Sequence, residues 1–246
     1  MPPDHPITIS VLGPPDIRLA GERIPLSVWT TTTAQHVVLY LVECPDGVRP
    51  DELMAAFWPS SSGERARSAL TTTIHRARRA IGCNVVRWVE GCYRVDLPPG
   101  SEYDLARFRA LLATTTCQTG EEKARTLEAA LALVRGDYLA GLLFEWVIDR
   151  RWTIERDITD AMLALAGIYA DRQLWQRAIR WYHAVLRRDE LIEDAHRGLM
   201  RCYTGQGNRA RAVRHFRQLE RLLKLELGVE PDPCTVALYQ VIRTRE

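Results

Sequence analysis

With 246 residues, 46% of them hydrophobic and 26% charged, the chain has room for a substantial core in one or two domains. A net charge of +2 excludes a polybasic protein that coats nucleic acid by charge alone. No apolar run nears the ~18 residues of a membrane span, and no charged-then-apolar leader opens the chain, so the expectation is a cytoplasmic (nucleoid-associated) protein with no membrane partner.

The first segment alternates. Ile7, Ile9 and Val11 point one way, Gly13-Pro14-Pro15 breaks the run, and Ile17 and Leu19 follow. Gly21 turns, and Ile24 and Leu26 flank Pro25. This predicts two or three short antiparallel strands. Thr30 to Thr33 offer a cap for a helix over 34–44, with Val37, Val38, Leu41 and Val42 as its apolar side, ended by Pro45-Asp46-Gly47. Pro50 and Asp51 start a second helix carrying Leu53, Met54, Phe57 and Trp58.

After the break Pro59-Ser60-Ser61-Ser62-Gly63 comes the most informative stretch, Ala66 to Ile81. Leu70, Ile74, Ala77 and Ile81, with Ala66, fall on one stripe at helical spacing. The opposite face holds Ser68, Thr72, His75 and Arg79, with Arg65 and Arg76 at its edge. A helix about 10–12 Å across fits a DNA major groove, provided one side is buried and the other meets bases and phosphates. Arginine pairs with guanine edges or phosphates, and short hydroxyl side chains let the backbone approach. Residues 62–94 contain seven arginines against two glutamates, a local excess of five positive charges in a nearly neutral chain. Lysine occurs only at 123 and 224, the mark of a GC-rich genome, so an arginine by itself says little about bidentate contacts. Beyond Gly82, VVRW and CYRV flank a turn at Glu90-Gly91 and predict a β-hairpin. The order of strands, two helices, loop, basic helix and hairpin is that of a winged helix-turn-helix, closed by Pro98-Pro99-Gly100-Ser101.

From Tyr103 the texture becomes continuously helical. Helices are expected near 104–117, 121–135, 145–172, 174–188, 191–205, 208–227 and 233–245. A 34-residue repeat runs through them: Asp160-Ala161 matches Asp194-Ala195, Leu165 matches Leu199, Tyr169 matches Tyr203, Ala178 matches Ala212, and Tyr182 matches Phe216. A small residue opposite an aromatic at this period is the tetratricopeptide signature of two antiparallel helices per unit. Two units cannot bury a solenoid core, so neighbouring helices are expected to cap them. No polar constellation in this half names a ligand. Gly228, Pro231, Asp232 and Pro233 read as a helix stop followed by an N-cap and first turn.

Residues 7–97 resemble the OmpR-type winged-helix DNA-binding domain, through Gly47, Val48, Asp51, Glu52, Leu53, Phe57 and Trp58, the helix ARSALTTTIHRARRAIG, and Gly91 with Tyr93. Residues 103–246 resemble the bacterial transcriptional activator domain, through YDLARFRALL, ALALVRGDYLAGL, ERD, the run from Leu199 to Phe216, and LELGVEPDP followed by Thr235, Leu238 and Tyr239. The two in this order are the arrangement of SARP-type regulators, activators often linked to antibiotic gene clusters. The implied fold is mainly α: an N-terminal winged helix-turn-helix with short antiparallel strands (1–102) and a C-terminal all-α tetratricopeptide-like domain (103–246).

The implied function is sequence-specific activation from direct repeats in double-stranded promoter DNA, bound by a head-to-tail homodimer that recruits RNA polymerase holoenzyme. Thr72, His75, Arg76 and Arg79 are then expected in the major groove. Arg65, Arg67 and Ser68 are expected at phosphate, with Arg87 and Arg94 in the wing. In OmpR-like activators the loop between the two helices touches polymerase, which here means Pro59, Ser60, Ser61, Ser62, Gly63 and Glu64. The chain departs from the family before its first helix, where Lys or Arg is usual and Ser27-Val28-Trp29-Thr30-Thr31-Thr32-Thr33 stands. Ser68 and Thr71 occupy positions that often carry Gln or Asn.

Two other classes are weighed. One is a tetratricopeptide adaptor whose winged helix contacts protein, and a variant of the main reading makes these residues the DNA-binding part of a larger regulator. The other is an enzyme, but no HExxH, GxSxG, Walker A or GxGxxG sequence occurs. The six cysteines, at 44, 83, 92, 117, 202 and 234, have no CxxC spacing, so free thiols, no metal and no cofactor are expected, with Cys83 and Cys92 packing as small apolar residues.

Overall fold

The computed structural model describes residues 5–82 and 84–244. Cys83, and residue 245 at the expected end of the last helix, lie outside them. The chain packs as two compact units, Met1–Arg107 with Arg135–Trp152, and Phe108–Val134 with Thr153–Glu246. The expected sequence domains divide the chain at 102/103. The packing units are interleaved along the chain, because residues 135–152 lie with the N-terminal unit.

In the first unit β1 (Ile7–Ser10) pairs antiparallel with β2 (Asp16–Leu19), which pairs with β3 (Glu22–Arg23). Ile7, Ile9 and Ile17 are buried, as the alternation predicts. Leu26, expected at a strand end, instead opens a one-turn helix, α1 (Leu26–Trp29), after Pro25. Two alternating residues around a proline are too few to distinguish a strand from a first helical turn. α2 (Thr32–Val42), α3 (Pro50–Phe57) and α4 (Gly63–Ile81) follow, then the hairpin β4 (Val86–Val89) and β5 (Cys92–Val95). Glu90 and Gly91 both have positive φ, 51° and 83°, the backbone of a type I′ turn.

Gly47 shows why a Gly-Val pair precedes α3. Its φ is 89°, and an added Cβ would lie 2.9 Å from Cys92 Cβ. That close approach lets Val48 and Tyr93 exchange two backbone hydrogen bonds of 2.8 Å, tying the wing to the helices.

The sheet has one strand that the alternation does not reveal. β6 (Glu102–Tyr103) runs parallel to β1, giving the order β3-β2-β1-β6. Two residues have no readable periodicity, and long-range hydrogen bonds hold them. Ile7 N donates to Ser101 Oγ at 2.9 Å, and the Asp104 carboxylate accepts from Val11 N and Leu12 N at 2.9–3.1 Å. The segment 135–140 adds to the same edge: Arg135 N donates to Leu12 O, Leu139 N to Val11 O, and Ala140 N to Gly13 O. Arg151 then fastens this loop through the carbonyls of Tyr138, Leu139 and Leu142. Nearby, Tyr40, Phe57, Phe144 and Trp146 form one aromatic cluster.

Burial raises the Asp104 pKa, against the opposing pull of the Val11 and Leu12 amides and of Arg135. A folded pKa above the unfolded one means that this group favours folding most below its unfolded pKa and loses that contribution as pH rises through the folded value. Asp104→Asn, which keeps an acceptor and removes the desolvated charge, is therefore expected to change stability at neutral pH by less than ~1 kcal/mol. Asp104→Ala strands two amides and is expected to cost about 1–3 kcal/mol. Urea denaturation of both variants at neutral and acid pH checks this. Equal losses would mean that the amides find other partners.

The second unit is helical. α5 (Asp104–Thr114) leads into it, and α6 (Gly120–Leu131), the bulk of α7 (Glu145–Asp171), α8 (Trp175–Arg188), α9 (Glu193–Gly205), α10 (Arg209–Glu226) and α11 (Pro233–Thr244) build it. Every apolar partner of the 34-residue repeat is buried: Ala161 and Ala195, Leu165 and Leu199, Tyr169 and Tyr203, Ala178 and Ala212, Tyr182 and Phe216. The repeat thus comprises the pairs α7–α8 and α9–α10, and α6 and α11 flank them. Tyr169 hydroxyl donates to Glu128 of α6. Phe216 stacks on Tyr239 of α11 at 4.0 Å, and Arg197 donates to Thr235. α10 ends just before Gly228, whose φ is 70°, and Asp232 caps α11 by accepting from Cys234 N at 2.8 Å.

Candidate nucleic-acid interface

α4 is the helix that the basic stretch predicts, but it begins at Gly63, three residues before Ala66. Extended Ser62 is its N-cap, so Gly63 and Glu64 of the expected loop form its first turn. Glu64 at the N-terminus and Arg78 and Arg79 at the C-terminus suit the helix dipole. Ala66, Leu70, Ile74, Ala77 and Ile81 are all buried, joined by Thr73 and Ala80. They pack on α1, α2, α3 and β4.

The opposite side is open. Arg65, Arg67, Ser68, Thr72, His75 and Arg79 are exposed, and Arg76 is half-buried. Thr71 and Thr72 donate their hydroxyl protons to the carbonyls of Arg67 and Ser68 at 3.0 Å. Their oxygens are left with lone pairs to accept hydrogen bonds. Arg78, which counts toward the local positive charge, donates to Val86 O at 2.9 Å and anchors the hairpin. Residues Pro59 to Glu64 are all exposed.

Arg65, Ser68, Thr72 and Arg76 line a hollow of about 410 Å³ together with Thr31, Thr33 and Trp58. Thr31 precedes α2, which has no side-chain cap, and its hydroxyl has no hydrogen-bond partner among the described residues. The Thr-rich stretch is legible in the sequence as a cap. Its position beside the basic helix is not, because that depends on how α2 crosses α4.

The wing places Arg87 and Arg94 directly opposite each other across the ladder. Like charges at such a position repel. Asp96 sits between them, with Arg87 Nη1 at 2.9 Å, Arg94 Nε at 2.8 Å and Arg94 Nη2 at 3.0 Å from its oxygens. Sequence reasoning missed Asp96; its spacing of two from Arg94, one residue past the end of β5, was the available signal.

Among the described residues no group of three or more His, Cys, Asp or Glu is placed to hold a metal ion, and no helix is long and apolar enough to cross a membrane. Cys44, Cys92, Cys117, Cys202 and Cys234 are free thiols. Cys92 is only half-buried.

Comparisons with known proteins agree with this architecture. The model of the family "Bacterial transcriptional activator domain" matches residues 103–243. Transcriptional regulatory protein MoaR1 of Mycobacterium tuberculosis is 28% identical over 251 aligned residues, covering 96% of this chain and 79% of its own. MoaR1 of Mycobacterium bovis matches equally. A solved structure of Mycobacterium tuberculosis EmbR, in complex with a low affinity phosphopeptide, superposes with a TM-score of 0.83 at 23% identity, over 98% of this chain. This chain spans 66% of that EmbR chain, a little under two thirds. The EmbR likeness supports the mainly helical fold with an N-terminal winged domain. The chain therefore belongs to the bacterial transcriptional activator domain family, as a transcriptional regulator of the SARP type.

Proposed function

We propose that the chain is a sequence-specific, DNA-binding transcriptional activator acting in the cytoplasm. In this reading 1–102 is the DNA-binding domain and 103–246 the activator domain. The observation that carries it is the division of α4 into a fully buried apolar stripe and an exposed face of Arg65, Arg67, Ser68, Thr72, His75 and Arg79. Thr72, His75, Arg76 and Arg79 enter the major groove. Thr72, its proton committed to Ser68, accepts from an adenine or cytosine amino group or packs its methyl on thymine. Arg65, Arg67 and Ser68 take phosphate, and the uncapped start of α2 does so in place of the missing Lys or Arg.

One such helix reads only a few base pairs, so two copies bind a direct repeat head to tail. The exposed loop Pro59–Ser62, with Gly63 and Glu64, is the polymerase contact. Selection of bound fragments from sheared host DNA tests the reading. Enrichment of a short direct repeat is the expected result, and no enrichment at near-physiological salt overturns it. The pairing of both wing arginines with Asp96 favours a second reading, an adaptor that uses the winged helix for protein contact. Weak, salt-insensitive binding to all DNA would establish that one.

The same pairing gives a prediction. Surface pairs are weak, so phosphate displaces Asp96 at little cost. Asp96→Asn leaves both cations unopposed and is expected to tighten DNA binding several-fold, steepening the slope of log K against log salt by about 1. Anisotropy titrations over a salt series read both quantities. An unchanged slope would place the wing away from the backbone.

A further inference from the structure

The second unit contains a polar constellation that the sequence does not reveal. His183 of α8, Tyr203 of α9, and Arg211, Arg214, His215 and Gln218 of α10 line a cavity of about 310 Å³. No carboxylate lines it, and neither Arg211 nor Arg214 makes an ion pair among the described residues. The Arg211 guanidinium lies over the Tyr203 ring, 4.1 Å from its centroid, and Tyr203 hydroxyl is 3.3 Å from His183 Nε2. Stacking holds the guanidinium in place while leaving its edge able to bond.

Behind this wall runs a histidine relay. His196 Nε2 lies 2.8 Å from the Glu190 carbonyl, so it carries the proton and donates. With His196 neutral, its Nδ1 must accept, and His215 Nε2, 2.9 Å away, donates to it. The nitrogen left for a further proton is His215 Nδ1. Protonation there breaks no bond of the relay. It is opposed first by burial and then by the neighbouring His196 of α9, His183 of α8 and Arg211 of α10 itself, any of which would repel the new charge when cationic, and the His215 pKa is pushed down to about 4. His183 is depressed in turn by burial, Arg211, Arg187 and His196. Glu190 and Glu193 act on His196 alone, where burial still prevails. Arg211 and Arg214 thus line the cavity with no carboxylate among its lining residues.

We infer that this cavity is a binding site for a small dianionic metabolite, whose phosphate or paired carboxylates sit against Arg211, Arg214 and His215. Its volume is at the lower end for small-molecule sites, which suits a metabolite rather than a peptide segment. The site is independent of the DNA-binding reading, since all its residues belong to the second unit. A bound dianion stabilises the charged imidazole. Binding therefore takes up a proton between the complexed and the free His215 midpoints, and affinity rises as pH falls through that window.

The test is imidazole NMR of the full chain with sulfate, which remains a dianion across the range of interest, against sodium chloride of equal ionic strength. Sulfate is expected to raise the His215 midpoint, about 4 in the free chain, by at least about one pH unit, so that binding tightens by up to about tenfold as pH falls from near neutral through the complexed midpoint to below the free one. The signals of histidines outside the cavity serve as the internal control. Arg214→Gln, at an exposed position, is expected to weaken sulfate at least ~10-fold, and Gln218→Glu, which puts an anion at the cavity, to abolish it. At neutral pH, glycerol phosphate against succinate then assigns the headgroup. The inference is overturned if sulfate moves the His183, His196 and His215 signals no more than chloride does. It is overturned equally if both variants respond as the wild type does.

Discussion

Replacing Arg76 and Arg79 together by alanine is expected to weaken binding to a selected promoter fragment by roughly 30- to 1000-fold, the loss of two good base or phosphate contacts. The slope of log K against log salt is expected to become shallower by about 1 for each of the two that contacts phosphate. Arg79 is exposed near the C-terminal end of α4, and half-buried Arg76 faces the hollow with Arg65, Ser68 and Thr72. Neither side chain carries the packing of α4, which rests on Leu70, Ile74, Ala77 and Ile81. The variant should therefore melt like the wild type. Arg78→Ala is the contrast: it removes the bond to Val86 O that anchors the hairpin, so its loss of affinity should come with a loss of stability. Wild-type affinity in the Arg76/Arg79 variant would show that another face of the winged helix meets DNA.

A large loss of stability is expected on substituting Gly198 in α9. A Cβ there would lie 2.2–2.6 Å from three ring atoms of Tyr182. Tyr182 is itself buried, in the packed face between α8 and α9, and that burial pushes its pKa up to about 12. Alanine gains about 1 kcal/mol in helix propensity over glycine, but the overlap forces the two helices apart. Gly198→Ala is therefore expected to destabilise the helical unit by about 1–3 kcal/mol net, lowering its melting temperature by several degrees. Tyr182→Leu removes the obstructing ring. The double variant should be less destabilised than the sum of the singles by about 1 kcal/mol or more, the signature of direct contact. Additive losses, measured by calorimetry, would mean that Gly198 is required for a reason other than the ring.

Much of this was readable in advance. The faces of α4 follow from helical periodicity, and the pairs Ala178 with Ala212 and Tyr182 with Phe216 follow from recurrence at 34 residues. Both are local or repeated patterns, which a chain displays without being folded. The candidate DNA face was legible for the same reason, since one helix carries most of it. Asp96 beside Arg87 and Arg94, and Thr31 beside Arg65, were not, because each depends on a neighbouring element docking. The helical half yielded no ligand from sequence because His183, Tyr203 and Arg214 lie on three helices and share a cavity only after those helices stack.

The sequence by itself determined the helix and hairpin order, the buried and exposed sides of α4, and the repeat that builds the second unit. Tertiary structure alone decided that Glu102–Tyr103 form a parallel strand and that 135–152 pack with the winged helix. The physical reason is the range of the bonds involved. Asp104 caps Val11 from 93 residues away, and Arg135 and Leu139 donate to the carbonyls of Leu12 and Val11. Backbone groups at a sheet edge must find partners, but nothing in the local residue pattern says which distant segment supplies them.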